Sequence, residues 1–324
     1  MKKSLFSLLA VIVMAGCTQS DVMEPVPNEN VEIKLISSAI AADNTLAARV
    51  LVSETSGNYT TTYANDKMVF TDNGSTAVGF ATAKYYPVDN STLHICGLYP
   101  FEGWGNPAND ECKFTFNGSQ DVMAAPEKSS TKNDSKDGNY PQLEFKHLLT
   151  QLVIKAVAED EAAIAKWGKL TDITLTKVGK NNPSGAVTVS LSAGTADESS
   201  AFATLLDNGM SFWVRGAGTE TAFASQAKEL TTDGEEVAYS MVAPLKNATG
   251  TADYTLAVKT EHSGTTPVTV PVNLKTTGSS SADYTASTQG KKFVVLLTFK
   301  ATEIKATATV KDWEEDGGSS EEIQ

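Results

Sequence analysis

Residues 31–50 read VEIKLISSAIAADNTLAARV, and the rest of the chain is organised around them. The first five, Val31–Leu35, alternate apolar and charged side chains, which is the period-two pattern of a β-strand with one buried face. The passage from Ser37 to Ala48 is rich in small residues, and we expect it to be exposed and flexible. The stretch therefore predicts a short strand that a loop separates from the strands that follow.

Arg49 comes directly after this passage, and two interpretations of it stay open. The chain contains 24 Lys but only two Arg, Arg49 and Arg215, so an Arg-specific protease would find few sites. Exposed loops with small residues are the usual places of proteolytic cleavage. On the residues alone, Arg49 is either a cut site, with Val50 as the next residue, or an ordinary surface arginine.

Residues 1–17 have the features of a bacterial lipoprotein signal peptide. Lys2 and Lys3 precede the apolar run Leu5–Val13, and small residues precede Cys17. The run is shorter than the roughly 20 residues that a membrane-spanning helix needs, so we interpret it as a removable signal. Cys17 would then be the lipidated N-terminus, carrying palmitate or similar acyl chains. The alternative is an ordinary secretory signal with a coincidental cysteine.

Composition predicts an exported, all-β protein. The mature chain is rich in Thr, Val, Ser, Gly and Asn, and it has no second apolar stretch long enough to span a membrane. The formal net charge of −13 repels nucleic acid. We therefore exclude nucleic acid as a partner.

Strand-like segments separated by turn-forming residues follow along the chain. They are Val50–Val52, Tyr59–Tyr63, Met68–Phe70, Ala77–Tyr86, Leu93–Leu98, Cys112–Phe116, Leu170–Thr176, Ala186–Leu191, Ser211–Val214, Val237–Val242, Tyr254–Val258, Val268–Val272, Lys292–Phe299 and Thr302–Val310. We expect a helical turn or two over Glu159–Gly168 and a long exposed loop over Glu127–Tyr140. The pattern predicts a tether with the first strand (residues 18–49) and two β-sandwich domains, residues 50–160 and 161–324.

Two cysteines remain after the lipidated one, and their state is open. Cys96 and Cys112 lie 16 residues apart. In an oxidising compartment a disulfide between them would stabilise the fold by roughly 3 kcal/mol. The alternative is two separate buried thiols that act as small apolar side chains.

No pattern in the sequence predicts catalytic residues, a cofactor or a metal site. The three histidines, His94, His147 and His262, are isolated from one another, and no cluster has metal-ligand spacing. His147 adjoins apolar residues and is interpreted as structural. Phosphate-binding and nucleophile-elbow motifs are also absent from the sequence. We therefore predict that the protein is not an enzyme.

Several motifs together resemble the fimbrillin family of Bacteroidetes, which comprises the subunits of type V pili and their anchor and tip relatives. The order and spacing of the motifs over some 300 residues carry the resemblance. The motifs are the signal ending at Cys17, Tyr85-Tyr86-Pro87, Leu98-Tyr99-Pro100, Asp121–Ala125, Phe145–Leu148 with Leu152, and a C-terminal strand region from Gly290–Phe293 to Asp312-Trp313.

The resemblance implies two tandem transthyretin-like (Greek-key) β-sandwich domains and export to the outer membrane as a lipoprotein. It also implies cleavage by an Arg-specific protease between Arg49 and Val50. Removal of the first strand, with Val31, Ile33 and Leu35, would open an apolar groove. A C-terminal strand of another fimbrial subunit would then fill it, in a homopolymer or a heteropolymer.

The segment Thr302–Val310 is the candidate donor strand. Ile304, Ala306, Ala308 and Val310 lie on one face of its alternation. The alternative is that it is simply the last strand of its own domain. In that case the protein is expected to be a tip or accessory subunit, or a non-polymerising surface lipoprotein. As a tip adhesin or such a lipoprotein it would bind a glycan or protein ligand on a host or bacterial surface, through aromatics such as Trp104 or Trp213.

Overall fold

The regular secondary structure of the computed structural model is almost entirely β-strand, which confirms the all-β class that the sequence predicts. It describes residues 30–37, 45–71, 76–177, 185–196, 202–203, 209–215, 220–244, 254–274 and 289–312. The predicted signal peptide, Cys17 and the tether lie outside the described residues. From Val31 onward the chain forms a single compact unit.

The first half of the chain contributes nine strands and one short helix. They are β1 (Lys34–Ser37), β2 (Leu46–Ser53), β3 (Ala64–Phe70), β4 (Val78–Gly79), β5 (Leu93–Tyr99), β6 (Glu111–Phe116), β7 (Met123–Ser130), α1 (Lys132–Lys136), β8 (Gln142–Leu143) and β9 (Lys146–His147). Five of these strands form an antiparallel sheet in the order β3-β2-β5-β7-β9. A separate three-stranded sheet has the order β4-β1-β8.

The second half contributes twelve strands, one α-helix and one 3-10 turn. They are β10 (Thr150–Ala158), α2 (Glu161–Trp167), β11 (Leu170–Lys177), β12 (Gly185–Ser190), β13 (Phe202–Ala203), β14 (Met210–Ser211), β15 (Trp213–Val214), β16 (Thr221–Ala222), the 3-10 turn Phe223–Ser225, β17 (Glu235–Val242), β18 (Tyr254–Thr260), β19 (Val268–Val272), β20 (Lys291–Phe299) and β21 (Ile304–Asp312). A six-stranded sheet, β16-β15-β17-β10-β20-β21, and a four-stranded sheet, β14-β11-β18-β19, contain most of them.

The halves are joined through a second three-stranded sheet, in the order β13-β12-β6. Strand β6 of the first half pairs antiparallel with β12 of the second over six residue pairs. The chain joins the six-stranded sheet at β10, ahead of the boundary that the sequence places at residue 160. The division into two domains stays a prediction.

The five-stranded sheet is buried on both faces, and this explains its apolar central strands. In β2, Val50 and Val52 face a smaller core cluster, whereas Leu51 between them belongs to the larger one. In β5, Ile95 belongs to the smaller cluster and Cys96 to the larger one. A strand covered on both sides has no need of polar alternation. The smaller cluster is the one that the first strand reaches.

The predictions about local structure have different outcomes. Tyr59–Tyr63 is a loop and not a strand, and the Tyr59 hydroxyl donates to Glu127 at 2.8 Å. The predicted strand Ala77–Tyr86 is wrong in extent, because only Val78–Gly79 forms a strand there. The expected exposed loop Glu127–Tyr140 instead holds the end of β7 and the helix α1. The helical turn expected before Gly168 is confirmed as α2, which Asp160 caps by accepting from the Ala163 amide at 2.8 Å.

Candidate functional site

The first-strand segment, Val31–Ser37, closes one side of the smaller cluster. Ile33 and Leu35 are both 0% exposed, whereas Glu32 and Lys34 stand on the other face and form an ion pair at 3.6 Å. The predicted alternation is therefore confirmed. Its two buried side chains pack into the following group: Leu46, Ala48, Val50, Val52, Ala64, Met68, Phe70, Phe80, Tyr86, Leu93, Ile95, Met123, Ala125, Leu143 and Phe145.

Backbone hydrogen bonds hold the first-strand segment along both of its edges. Strand β1 pairs antiparallel with β4 on one side and parallel with β8 on the other. Further backbone contacts extend the pairing beyond these short strands. They are Ile33 N–H to Lys84 O (2.8 Å), Tyr86 N–H to Val31 O (2.9 Å) and Ile36 N–H to Pro141 O (3.1 Å).

Arg49 lies in the middle of β2, where its neighbours along the ladder are Lys67 of β3 and Leu98 of β5. The expectation that the passage up to Ala48 is an exposed loop is wrong for residues 46–48, because Leu46 and Ala48 point into the smaller cluster. Residues 38–44 lie outside the described residues. The Arg49–Val50 bond is therefore enclosed between two neighbouring strands.

The Arg49 side chain is itself buried and donates three hydrogen bonds. Its Nε donates to Asn65 Oδ1 at 2.8 Å, and its Nη1 donates to the carbonyls of Gly105 at 2.9 Å and Trp104 at 3.3 Å. These contacts fasten the loop that follows β5 onto the sheet. Arg215 differs, since half of its side chain is exposed beside Glu236.

The candidate donor segment forms β21 at the edge of the six-stranded sheet. It pairs antiparallel with β20 over nine residue pairs, from Phe299 with Ile304 to Lys291 with Asp312. Ile304 and Ala308 are buried in the larger cluster, and Ala306 packs against it. In the uncut chain this segment is therefore the last strand of the six-stranded sheet, and its use as a donor stays a prediction.

Cys96 and Cys112 are free, buried thiols on β5 and β6. Burial raises the pKa of both thiols, although the nearby Arg49 charge partly offsets this for Cys112. Only the thiolate is nucleophilic, so both side chains are unreactive while the sheet is closed. The structure thus contains the second of the two alternatives, separate buried thiols.

Glu127 anchors the loop after β2 to β7 through a polar cluster. Its carboxylate accepts from Ser56 Oγ (2.7 Å), the Gly57 amide (3.0 Å) and the Tyr59 hydroxyl, and it contacts His94 Nδ1 at 2.9 Å. Burial alone would raise the pKa of Glu127, but these hydrogen bonds outweigh burial and hold it below its usual value.

The same cluster has the residue types of a hydrolase triad without its geometry. Ser129 Oγ lies 3.2 Å from His94 Nδ1, the same ring nitrogen that contacts Glu127. A catalytic triad needs the acid on one imidazole nitrogen and the nucleophile on the other. The arrangement therefore supports the loop after β2, and it lacks the geometry for proton transfer from Ser129 through His94 to Glu127.

His147 forms the second histidine–carboxylate pair, with its Nδ1 2.6 Å from Asp121 Oδ2. The pair lies beside a cavity of about 490 Å³ whose lining includes Lys146, Gly194 and Thr195.

Within the described ranges no group of three His, Cys, Asp or Glu side chains is placed to hold a metal ion. Among the same described residues, no helix is long and apolar enough to cross a membrane.

Two tryptophans that the sequence offered as exposed ligand-binding aromatics differ in burial. Trp104 is only 9% exposed, donates from its indole to Pro100 O at 2.8 Å and packs against Phe114 with ring centroids 5.0 Å apart. The interpretation of Trp104 as an exposed aromatic is wrong. Trp213 is half-buried, with its indole donating to Asn117 O at 3.2 Å.

Several residues around the smaller cluster were not predicted from the sequence. Gly97 is one of them: a side chain there would collide with the ring of Phe145, a member of that cluster. A glycine inside an apolar strand is the signal that could have indicated such a close approach. The backbone partners around Lys84 and Pro141 carry no comparable signal in one sequence.

Comparison with known proteins gives a family and a set of structures with a similar fold. The family described as Fimbrillin-like matches residues 36–313. A candidate cell adhesion protein from Bacteroides uniformis is 18% identical, with a TM-score of 0.55 over 89% of this chain and 99% of its own. A fimbrial protein from Bacteroides vulgatus is 14% identical, with a TM-score of 0.47 over 88% of this chain and 100% of its own. The comparison with curated proteins gives no match.

Proposed function

Because this chain belongs to the fimbrillin-like family, we propose that it is a structural subunit of a cell-surface fimbria that exchanges its first-strand segment for a strand of another subunit. The observation that supports this most directly is the complete burial of Ile33 and Leu35 in the smaller cluster. The larger cluster contains no residue of the first-strand segment. The first-strand segment thus contributes to the smaller cluster only, and another strand could replace it there.

Cleavage after Arg49 would remove four members of the smaller cluster, Ile33, Leu35, Leu46 and Ala48. Burial of each large aliphatic side chain contributes about 1.5–3 kcal/mol. Loss of three such side chains is comparable with the roughly 5–15 kcal/mol that holds a typical domain folded. A cut subunit therefore gains stability by accepting a strand with the same alternation.

Removal of the segment would also leave backbone groups without partners. The carbonyl of Lys84 and the amide of Tyr86 both bond to the first-strand segment, as do parts of β4 and β8. An edge with open donors and acceptors favours the addition of another strand. Apolar burial and ladder hydrogen bonds would then act together in the joint between subunits.

The proposed cut requires β2 to be open. A protease binds its substrate in an extended, unpaired form, and the Arg49–Val50 bond is paired on both sides in the closed chain. We therefore place cleavage by an Arg-specific protease before β2 has closed, or during its local opening. Before cleavage, a lipidated Cys17 and the tether after it would hold the subunit at the outer membrane.

A terminal position in the fimbria is the second candidate, and one observation favours it. Strand β21 is fully paired with β20 and contributes Ile304 and Ala308 to the larger cluster, so donation would have to break its own sheet. A subunit that accepts a strand but keeps β21 would cap a chain of subunits. Such a tip subunit is also where a host or bacterial surface ligand would bind.

The test is assembly of residues 18–324, with Cys17 absent, after Arg-specific cleavage in mild denaturant. The structural-subunit proposal predicts a ladder of oligomers that resists SDS, because each joint contains a buried strand. The Arg49→Lys variant should stay uncut and monomeric, whereas the matched Arg215→Lys variant should assemble like the unaltered chain. A cut chain that forms no ladder but retains an added strand peptide would indicate a terminal subunit. A cut chain that does neither would overturn both proposals.

A further inference from the structure

The segment Thr131–Leu143, called the clasp below, crosses the first-strand segment on the side away from β4. At its start, Ser135 Oγ in α1 donates to the carbonyl of Glu32 at 3.3 Å. At its end, the Ile36 amide donates to Pro141 O at 3.1 Å, and β8 continues this pairing. The clasp therefore contacts both ends of the first-strand segment.

Helix α1 is ordered by contacts of its own. Thr131 and Asp134 form a reciprocal capping box, with the Asp134 carboxylate accepting from both the amide (2.8 Å) and the hydroxyl (2.6 Å) of Thr131. These hydrogen bonds hold the pKa of Asp134 below its usual value. The Asn133 amide donates to Asn90 Oδ1 at 2.9 Å, and Ser135 is buried against the first-strand segment. These contacts order the segment as a helix and not as a polar loop, although α1 is only five residues long.

A strand that is paired along both edges is retained much better than a strand at the edge of a sheet. The first-strand segment would be an edge strand without the clasp, since β4 and residues 84–86 pair with it from one side only. With β8 in place, the first-strand segment cannot leave the sheet sideways unless a second row of hydrogen bonds breaks. Another strand cannot replace it sideways without breaking the same bonds. Opening of the clasp converts an enclosed strand into an edge strand.

We propose that the clasp controls strand exchange: it holds whichever strand occupies the groove, and it must lift before the first-strand segment leaves or a replacement strand enters. The exposed residues Gly138 and Asn139, which follow the C-cap of α1 and precede β8, give the clasp a place to bend, with Gly138 in the left-handed region (φ +80°). This inference rests on the proposed function for its biological meaning. The physical hold of the clasp on the segment is testable in the uncut monomer.

The test loosens α1 and measures amide hydrogen exchange at Ile33, whose amide bonds to Lys84 and not to the clasp itself. The variant combines Asp134→Ala, which removes the capping box, with Ser135→Ala, which removes the contact to Glu32. Loss of a cap and a hydrogen bond is expected to raise the exchange rate of the Ile33 amide about tenfold. Asp137→Ala, an exposed change at the other end of α1, is the matched control and should leave the rate unchanged.

Amides of β5 report on the neighbouring five-stranded sheet in the same experiment. Faster exchange at Ile33 with unchanged exchange in β5 supports the clasp. Fast exchange within α1 with an unchanged rate at Ile33 overturns it, and so does an equal increase throughout β5, because the clasp would then have no selective hold. If exchange behaves as expected but the cut chain never accepts a strand, the proposed function fails and the clasp stands. If the cut chain assembles at the same rate with and without the loosened α1, the clasp alone fails.

Discussion

Replacing Ile33 and Leu35 together with aspartate is expected to open the smaller cluster without any proteolytic cut. Both side chains are 0% exposed, so the variant loses about 1.5–3 kcal/mol of apolar burial at each position. A buried carboxylate adds a desolvation cost of several kcal/mol per group. The first-strand segment should therefore leave its groove while the larger cluster keeps the remaining sheets folded. The measurement is saturable binding of a fluorescent peptide that spans residues 30–37, which the unaltered chain should not bind.

Lys34→Asp is the matched control for this prediction. It places the same carboxylate in the same strand, but on the face where the Lys34 side chain is 40% exposed. This variant should keep its groove closed and bind no peptide. A double variant that binds no peptide and melts like the unaltered chain would contradict the account. Complete loss of the β-sheet circular dichroism spectrum would contradict it too, because the first-strand segment would then support the whole fold and not one core.

Arg49→Ala is expected to lower the free energy of unfolding by about 2–4 kcal/mol. The guanidinium is buried and donates three hydrogen bonds, to Asn65 and to the carbonyls of Trp104 and Gly105. Alanine would remove one donor from each of these acceptors and would release the loop after β5 from the sheet. Urea denaturation followed by circular dichroism measures the change. The prediction gives Arg49 a structural role that is separate from its proposed role as a cut site.

Arg215→Ala serves as the comparison because it removes the only other arginine of the chain. Its side chain is 52% exposed, lies 3.5 Å from Glu236 and stacks on the ring of Tyr239 at 4.6 Å. Exposed ion pairs and cation–π contacts of this kind contribute about 0.5–1 kcal/mol each. The loss should therefore be clearly smaller than that of Arg49→Ala. Equal losses for the two variants would show that the buried hydrogen bonds of Arg49 contribute little.

Local patterns in the sequence were sufficient for the first strand and for α2. The alternation of Val31–Leu35 predicts one buried face, and the structure buries Ile33 and Leu35. The turn of helix before Gly168 has an Asp at its start and a glycine at its end, which are strong local signals. Signals of this kind depend on only a few neighbouring residues, so they can be recognised in a single sequence.

Arg49 and the clasp depend instead on partners far along the chain. A charged residue after small ones predicts an exposed loop, but Arg49 is buried because Trp104 and Gly105, 55 and 56 residues away, supply acceptors. The polar residues 131–140 have too little apolar surface to predict burial. They are ordered because Glu32 and Ile36, about a hundred residues earlier, offer them backbone partners.

The capping box of α1 was nevertheless present in the sequence. Thr131 and Asp134 stand at the spacing of an N-cap and its third helical residue, which is a signature of a helix start. The high content of Lys, Ser, Asn and Asp around them hid the signal. The role of β21 was also beyond sequence reasoning, because a donor strand and the last strand of a sheet have the same alternation.

The N-terminal residue of the polymeric cell-surface protein, determined by mass spectrometry, tests the central proposal most directly. The proposal that the first-strand segment is a removable part of the fold predicts Val50 as the first residue, with residues 18–49 absent from the polymer. A surface protein that is monomeric and begins at a lipidated Cys17, with residues 31–37 still in place, would contradict it.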